Sequence, residues 1–201
     1  MSIKVLLAED QDLIRGALSA LLNMETDIDV VAEAKNGKEA LNLLQEHTVD
    51  ILLSDIEMPE LDGLSLCEQA LADNKDLTTM ILTTFSRAGY IRRAMEMGVK
   101  GFLLKDAPAE QLAESIRIVY RGQRVYDPEL VLQGMDAESP LTDKERKALG
   151  LAHQGLSSKQ IAEQLFISEG TVRNYLSEAI HKLGAKNRVE AGRTAHLKGW
   201  L

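Results

Sequence analysis

The chain is expected to fold as a doubly wound, five-stranded parallel α/β sheet followed by a C-terminal all-α domain of four helices containing a helix-turn-helix. Three observations predict this. Five short apolar runs alternate with five amphipathic helical patterns up to about residue 122. From Leu141 onward the pattern is helical only. The sign of the charge also changes between the two regions.

The strand-like runs are Ile3–Ala8, Ile28–Glu33, Ile51–Ser54, Met80–Thr84 and Gly101–Leu104. Near-continuous apolar runs of this length suit strands covered on both faces, the condition of a parallel sheet. Helical patterns follow at Leu13–Met24, Gly37–Gln45, Leu64–Leu71, Ala88–Met97 and Ala109–Arg121, so each crossover is right-handed. Gly37, Gly63, Gly98 and Gly122 punctuate the element ends. Periodicity fades over 123–140, where Asp127-Pro128, Gly134 and Ser139-Pro140 mark an expected linker, with a short helix around Glu129–Met135. Thr142-x-x-Glu145 is a capping box opening a helix to about His153, and Ser157-x-x-Gln160 opens another to about Leu165. Ser168 caps a long helix over Glu169–Leu183, and a last one spans Arg188–Lys198. The expected domains are therefore 1–122, the linker 123–140, and 141–201.

The net charge of −8 hides an asymmetry: residues 1–130 carry 13 Lys/Arg against 23 Asp/Glu, whereas 140–201 carry 10 against 6. A basic module on an acidic protein points to a nucleic-acid partner for the tail alone. The single cysteine, Cys67, excludes an internal disulfide and a cysteine-cluster metal site. No apolar run reaches the ~18–20 residues of a membrane span, and Met1–Lys4 leads straight into a strand. The expectation is a cytoplasmic protein with no membrane insertion.

The chemistry gathers at strand ends, where open α/β sheets hold ligands. Glu9-Asp10 follows the first run, Asp55 the third and Lys105 the fifth, while Thr83 closes the fourth. Taken singly, each has an ordinary structural use as a cap or a strand-end residue. Their coincidence at the carboxyl ends of separate strands is what suggests a site. Carboxylates brought this close repel unless a cation sits among them, and magnesium (Mg2+) suits such an oxygen-donor set. Asp10 and Asp55, with the backbone carbonyl of Glu57, would be ligands, leaving Asp55 able to attack phosphorus. Thr83 and Lys105 would then receive the phosphoryl oxygens.

In the long C-terminal helix, Val172, Leu176, Ala179, Ile180 and Leu183 form an apolar stripe. Gly170, Asn174, Ser177 and His181 lie opposite, with Arg173 beside them. Asn and Arg can read adenine and guanine edges in the major groove. Lys159, Thr171, Lys182, Lys186 and Arg188 are the expected phosphate contacts.

Glu9-Asp10, Asp55, Pro59, Gly63, Thr83 and Lys105 resemble the signature of a two-component receiver domain, a flavodoxin-like fold, over residues 3–122. The resemblance implies that Asp55 is the phosphoacceptor and that Glu9-Asp10 is the metal-binding pair. It makes Thr83 the switch hydroxyl, Phe102 the switch aromatic and Lys105 the phosphoryl-sensing lysine. Glu9 stands where the family more often has Asp, and Asp106 where it often has Pro. Leu141-Thr142, Glu145, Gly155-Leu156-Ser157, Lys159-Gln160-Ile161-Ala162, Ile167-Ser168, Thr171-Val172-Arg173, Lys182-Leu183, Asn187-Arg188 and Ala191 resemble the LuxR-type helix-turn-helix. Receiver and module together are similar to the NarL/FixJ response regulators. That similarity implies a sensor histidine kinase as phosphodonor, promoter DNA and RNA polymerase as partners, and a homodimer formed on phosphorylation. The first and fifth helices (Leu13, Ala17, Leu21 with Leu112, Ile116, Val119) are the expected pairing surface. Two alternatives stay open: an aspartate-nucleophile phosphohydrolase, with Glu57 as its general acid, and a phosphorylation-independent DNA-binding regulator.

Overall fold

The computed structural model describes residues 2–84, 87–127, 131 and 139–201. The chain divides into two compact units. In the first, strands β1 (Ile3–Ala8), β2 (Ile28–Ala34), β3 (Ile51–Ser54), β4 (Thr78–Thr83), β5 (Gly101–Leu104) and β6 (Val125–Tyr126) form one parallel sheet in the order β2-β1-β3-β4-β5-β6. The helices between them are α1 (Asp12–Asn23), α2 (Gly37–Glu46), α3 (Gly63–Asp73), α4 (Ala88–Met97) and α5 (Ala109–Tyr120). The order reverses at β1, so β1 and β3 lie side by side and leave a crevice beyond their carboxyl ends.

Strand alternation assigns the two faces. Val5, Leu7, Ile51, Leu53, Met80, Leu82 and Leu103 share one core with Leu22 of α1 and with Leu112, Ile116 and Val119 of α5. Leu6, Leu52, Ile81 and Phe102 point to the other face and are equally buried. Burial on both sides is why these strands read as unbroken apolar runs. It also corrects the expected pairing surface. Leu112, Ile116 and Val119 are spent on the core, whereas Leu13 and Leu21 of α1, and Met24 just after it, are exposed. The sheet has six strands rather than five, because β6 pairs with β5 inside the segment expected as linker. The helix expected around Glu129–Met135 falls, apart from Val131, outside the described residues.

The second unit contains α6 (Asp143–His153), α7 (Ser158–Leu165), α8 (Glu169–Lys182) and α9 (Arg188–Leu197). Both predicted capping boxes form: Thr142 with Glu145, and Ser157 with Gln160. Ser168 caps α8 and Asn187 caps α9. The turn from α7 to α8 is made by Phe166 in the left-handed region (φ 53°), with its backbone N–H and that of Ile167 closing the end of α7. Ala148, Leu149, Ile161, Ala162, Val172, Leu176, Ala179, Ala191, Ala195 and Trp200 form its core. Among the described residues no helix is long and apolar enough to cross a membrane.

Candidate functional site

The sheet's register builds the acidic site. Ala8 pairs with Ser54, and the next backbone bond, Asp55 N–H to the Ala8 carbonyl at 2.9 Å, carries the ladder one step beyond the strands. Glu9, Asp10 and Asp55 are thereby drawn together, with one carboxylate oxygen from each lying within 4.8 Å of the others. Glu9 and Asp55 are 1% and 6% exposed, so water does little to screen their repulsion. Lys105 reaches in from the end of β5, its Nζ 2.5 Å from Glu9 Oε2 and 3.0 Å from Asp55 Oδ2. Burial opposes the charge on Lys105, but its ion pairs with Glu9 and Asp55 more than offset it and raise its pKa. Burial pushes the Glu9 carboxyl above its ordinary range, against the pull of Lys105.

The remaining predicted residues are placed by the same strands. Thr83 is fully buried at the end of β4, and its carbonyl accepts the Lys105 N–H at 2.9 Å. Phe102, three residues before Lys105, is fully buried. Glu57 lies half-buried in the β3–α3 connection, and its carboxylate stands outside the clustered three. Gly63 opens α3 because nothing larger fits: a Cβ there would lie 1.8 Å from the Asp55 carbonyl oxygen. The donor set is all oxygen, and Asp10 Oδ1 is buried without a hydrogen-bond partner among the described residues. An orphaned buried carboxylate oxygen beside two others is what a hard divalent cation would satisfy. Sequence reasoning missed Arg15, whose Nη1 donates to the Glu9 carbonyl at 2.8 Å and fixes the backbone of the acidic pair. An arginine in an amphipathic helix gives no sign of this.

In the helical unit, Val172, Leu176 and Ala179 turn α8 inward. Arg173, Asn174, Ser177 and His181 are exposed, as are Lys159, Lys186 and Arg188, while Gly170 and Thr171 are half-buried at the capped end. Arg173 pairs with Glu169 one turn back at 3.5 Å. Lys182 is exposed as well, and its Nζ lies 2.9 and 2.7 Å from the two carboxylate oxygens of Glu145 on α6.

Comparison with known proteins agrees with this geometry. Residues 5–117 match the response regulator receiver domain, and residues 139–195 match the bacterial regulatory proteins of the luxR family. Two Bacillus subtilis proteins, the transcriptional regulatory protein DesR and the uncharacterized transcriptional regulatory protein YvfU, are each 45% identical over 199 residues. Those matches cover 99% of this chain and 99% and 100% of the respective relatives. Among solved structures, the response regulator ChrA of a heme-sensing two-component system is 36% identical, with a TM-score of 0.57 and 98% of each chain covered. With an acidic crevice in a receiver sheet and a LuxR-type helix-turn-helix in the same chain, the protein belongs to the NarL/LuxR family of response regulators, transcriptional regulators of two-component systems.

Proposed function

We propose that Asp55 accepts a phosphoryl group from a sensor histidine kinase and that this event controls promoter binding by a dimer. The observation that supports it most is the buried meeting of Asp55 with Glu9, Asp10 and Lys105 at the β1/β3 crevice. Glu9, Asp10, Asp55 and the Glu57 carbonyl would hold Mg2+, which when bound withdraws charge from the transferring phosphoryl oxygens. An Asp55 carboxylate oxygen forms the new P–O bond as the P–N bond of the kinase phosphohistidine breaks. The imidazole nitrogen leaves with the electron pair. Lys105 then exchanges its Asp55 contact for a phosphoryl oxygen, and the Thr83 hydroxyl donates to another. Those contacts exist only in the phosphorylated state, so they bias the chain toward one of two arrangements of β4, β5 and Phe102.

Pairing of two receivers, with exposed Leu13, Ala17 and Leu21 of α1 contributing, would set two helical units over half-sites about one DNA turn apart. Asn174, Arg173, Ser177 and His181 would face base edges. Lys159, Gly170, Thr171, Lys186 and Arg188 would lie along the phosphates, and RNA polymerase would be the neighbouring partner. The setting is the cytoplasm, where promoter DNA and the kinase domain both lie. The test is footprinting with and without acetyl phosphate. Phosphate-enhanced protection is expected from the native chain and not from Asp55→Asn. Steady turnover of a small phosphate ester would instead favour the phosphohydrolase.

A further inference from the structure

Glu145 is 6% exposed, yet it carries a charge and holds two elements at once. Its Oε2 accepts the Thr142 backbone N–H at 2.8 Å, closing the capping box that starts α6. The same carboxylate takes Lys182 Nζ on both oxygens, at 2.9 and 2.7 Å. Lys182 is the last residue of α8 and lies 37 positions away in sequence. Both Glu145 oxygens thus accept from the one ammonium. Turning Lys182, whose side chain is 30% exposed, toward a phosphate would leave the Glu145 side chain, 8% exposed, with the Thr142 N–H alone, and a buried carboxylate that loses its cation is destabilising.

We propose that Lys182 is a positioning residue rather than a phosphate contact: with Glu145 it forms an internal strut that ties the carboxyl end of α8 to the first turn of α6. The strut fixes the tilt of α8 and hence where Asn174 and Ser177 meet the bases. A recognition group held by a locked supporting shell loses affinity when that shell is loosened. This inference rests on the DNA-binding role proposed above.

The test uses the full-length chain treated with acetyl phosphate and magnesium, and a short duplex cut from DNA that the wild type protects from nuclease. Binding is measured over a salt series, with Trp200 emission reporting that the helical unit is folded. The doubly substituted Glu145→Gln, Lys182→Met chain, which removes both charges together, is expected to bind about tenfold more weakly. Its salt dependence should match that of the wild type. Loss of a phosphate contact would instead flatten the slope of log K against log salt by about 0.9, and that result overturns the proposal. Unchanged affinity in a folded variant also overturns it, since the pair would then serve stability alone. If the double variant does not fold, Glu145→Gln alone, whose amide oxygen still accepts the Thr142 N–H, is judged by affinity: weaker binding supports the strut, and unchanged or tighter binding overturns it. Failure of the wild type to protect any DNA would count against the DNA-binding role itself, a separate outcome.

Discussion

Lys105 Nζ lies 3.0 Å from Asp55 Oδ2, with only 8% and 6% of the two side chains exposed. The ammonium therefore stands in for part of the positive charge that three converging carboxylates require. Replacing Lys105 by Met leaves Glu9, Asp10 and Asp55 facing one another in a poorly screened crevice. Unfolding by urea in magnesium-free buffer should show a loss of about 3–5 kcal/mol. Magnesium chloride should then restore more stability to the variant than to the wild type, because no ammonium competes for Glu9 and Asp55. Equal magnesium responses would contradict this.

Gly63 is set by space rather than by backbone angle. Its missing Cβ leaves room for the Asp55 carbonyl, which a methyl group would approach to 1.8 Å. Gly63→Ala must push α3 or the β3–α3 loop outward, at a destabilisation of roughly 1–3 kcal/mol. Because the loop that moves carries Asp55 and Glu57, its rate of phosphorylation by acetyl phosphate should fall as well. A variant with native stability and rate would show that the loop yields freely.

The patterns that predicted the sheet and the four C-terminal helices were legible because strands buried on both faces read as unbroken apolar runs, while helices buried along one stripe are marked at every third to fourth residue. The acidic site was legible for a related reason: its members follow strands whose order can be inferred. What stayed hidden depends on pairing across long separations. β6 is two residues long, too short to show alternation. The burial of Leu112, Ile116 and Val119 could not be told from an interface stripe, since both need the same spacing. Lys182 looked like any basic residue on an exposed helix, because nothing local announces that Glu145 lies beneath it.

Burial alone would push the Glu145 carboxyl up, but hydrogen bonds from Lys182 and from the Thr142 N–H more than offset it and hold it below the ordinary range. A depressed carboxylate contributes stability that is complete above its unfolded pKa and is lost as pH falls through its folded one. The helical unit should therefore lose stability on acidification below about pH 5. Trp200, the chain's single tryptophan and part of that unit's core, reports this directly. The gap between wild type and Glu145→Gln should narrow over the same window. A gap that is constant with pH would mean the carboxylate's charge contributes nothing.

Phe166 holds a left-handed conformation and is 95% exposed. The ring gains little from packing, and the backbone position favours glycine. Phe166→Gly should stabilise the helical unit by about 1 kcal/mol, seen as a higher thermal midpoint in Trp200 emission. A lower midpoint would show that the ring packs in solution.

The central claim is tested most directly by mass spectrometry of the full-length chain after incubation with acetyl phosphate and magnesium. An acid-labile phosphoryl adduct on the peptide carrying Asp55, absent from Asp55→Asn, is the predicted result. Absence of that adduct, or its persistence in the substituted chain, would contradict the account.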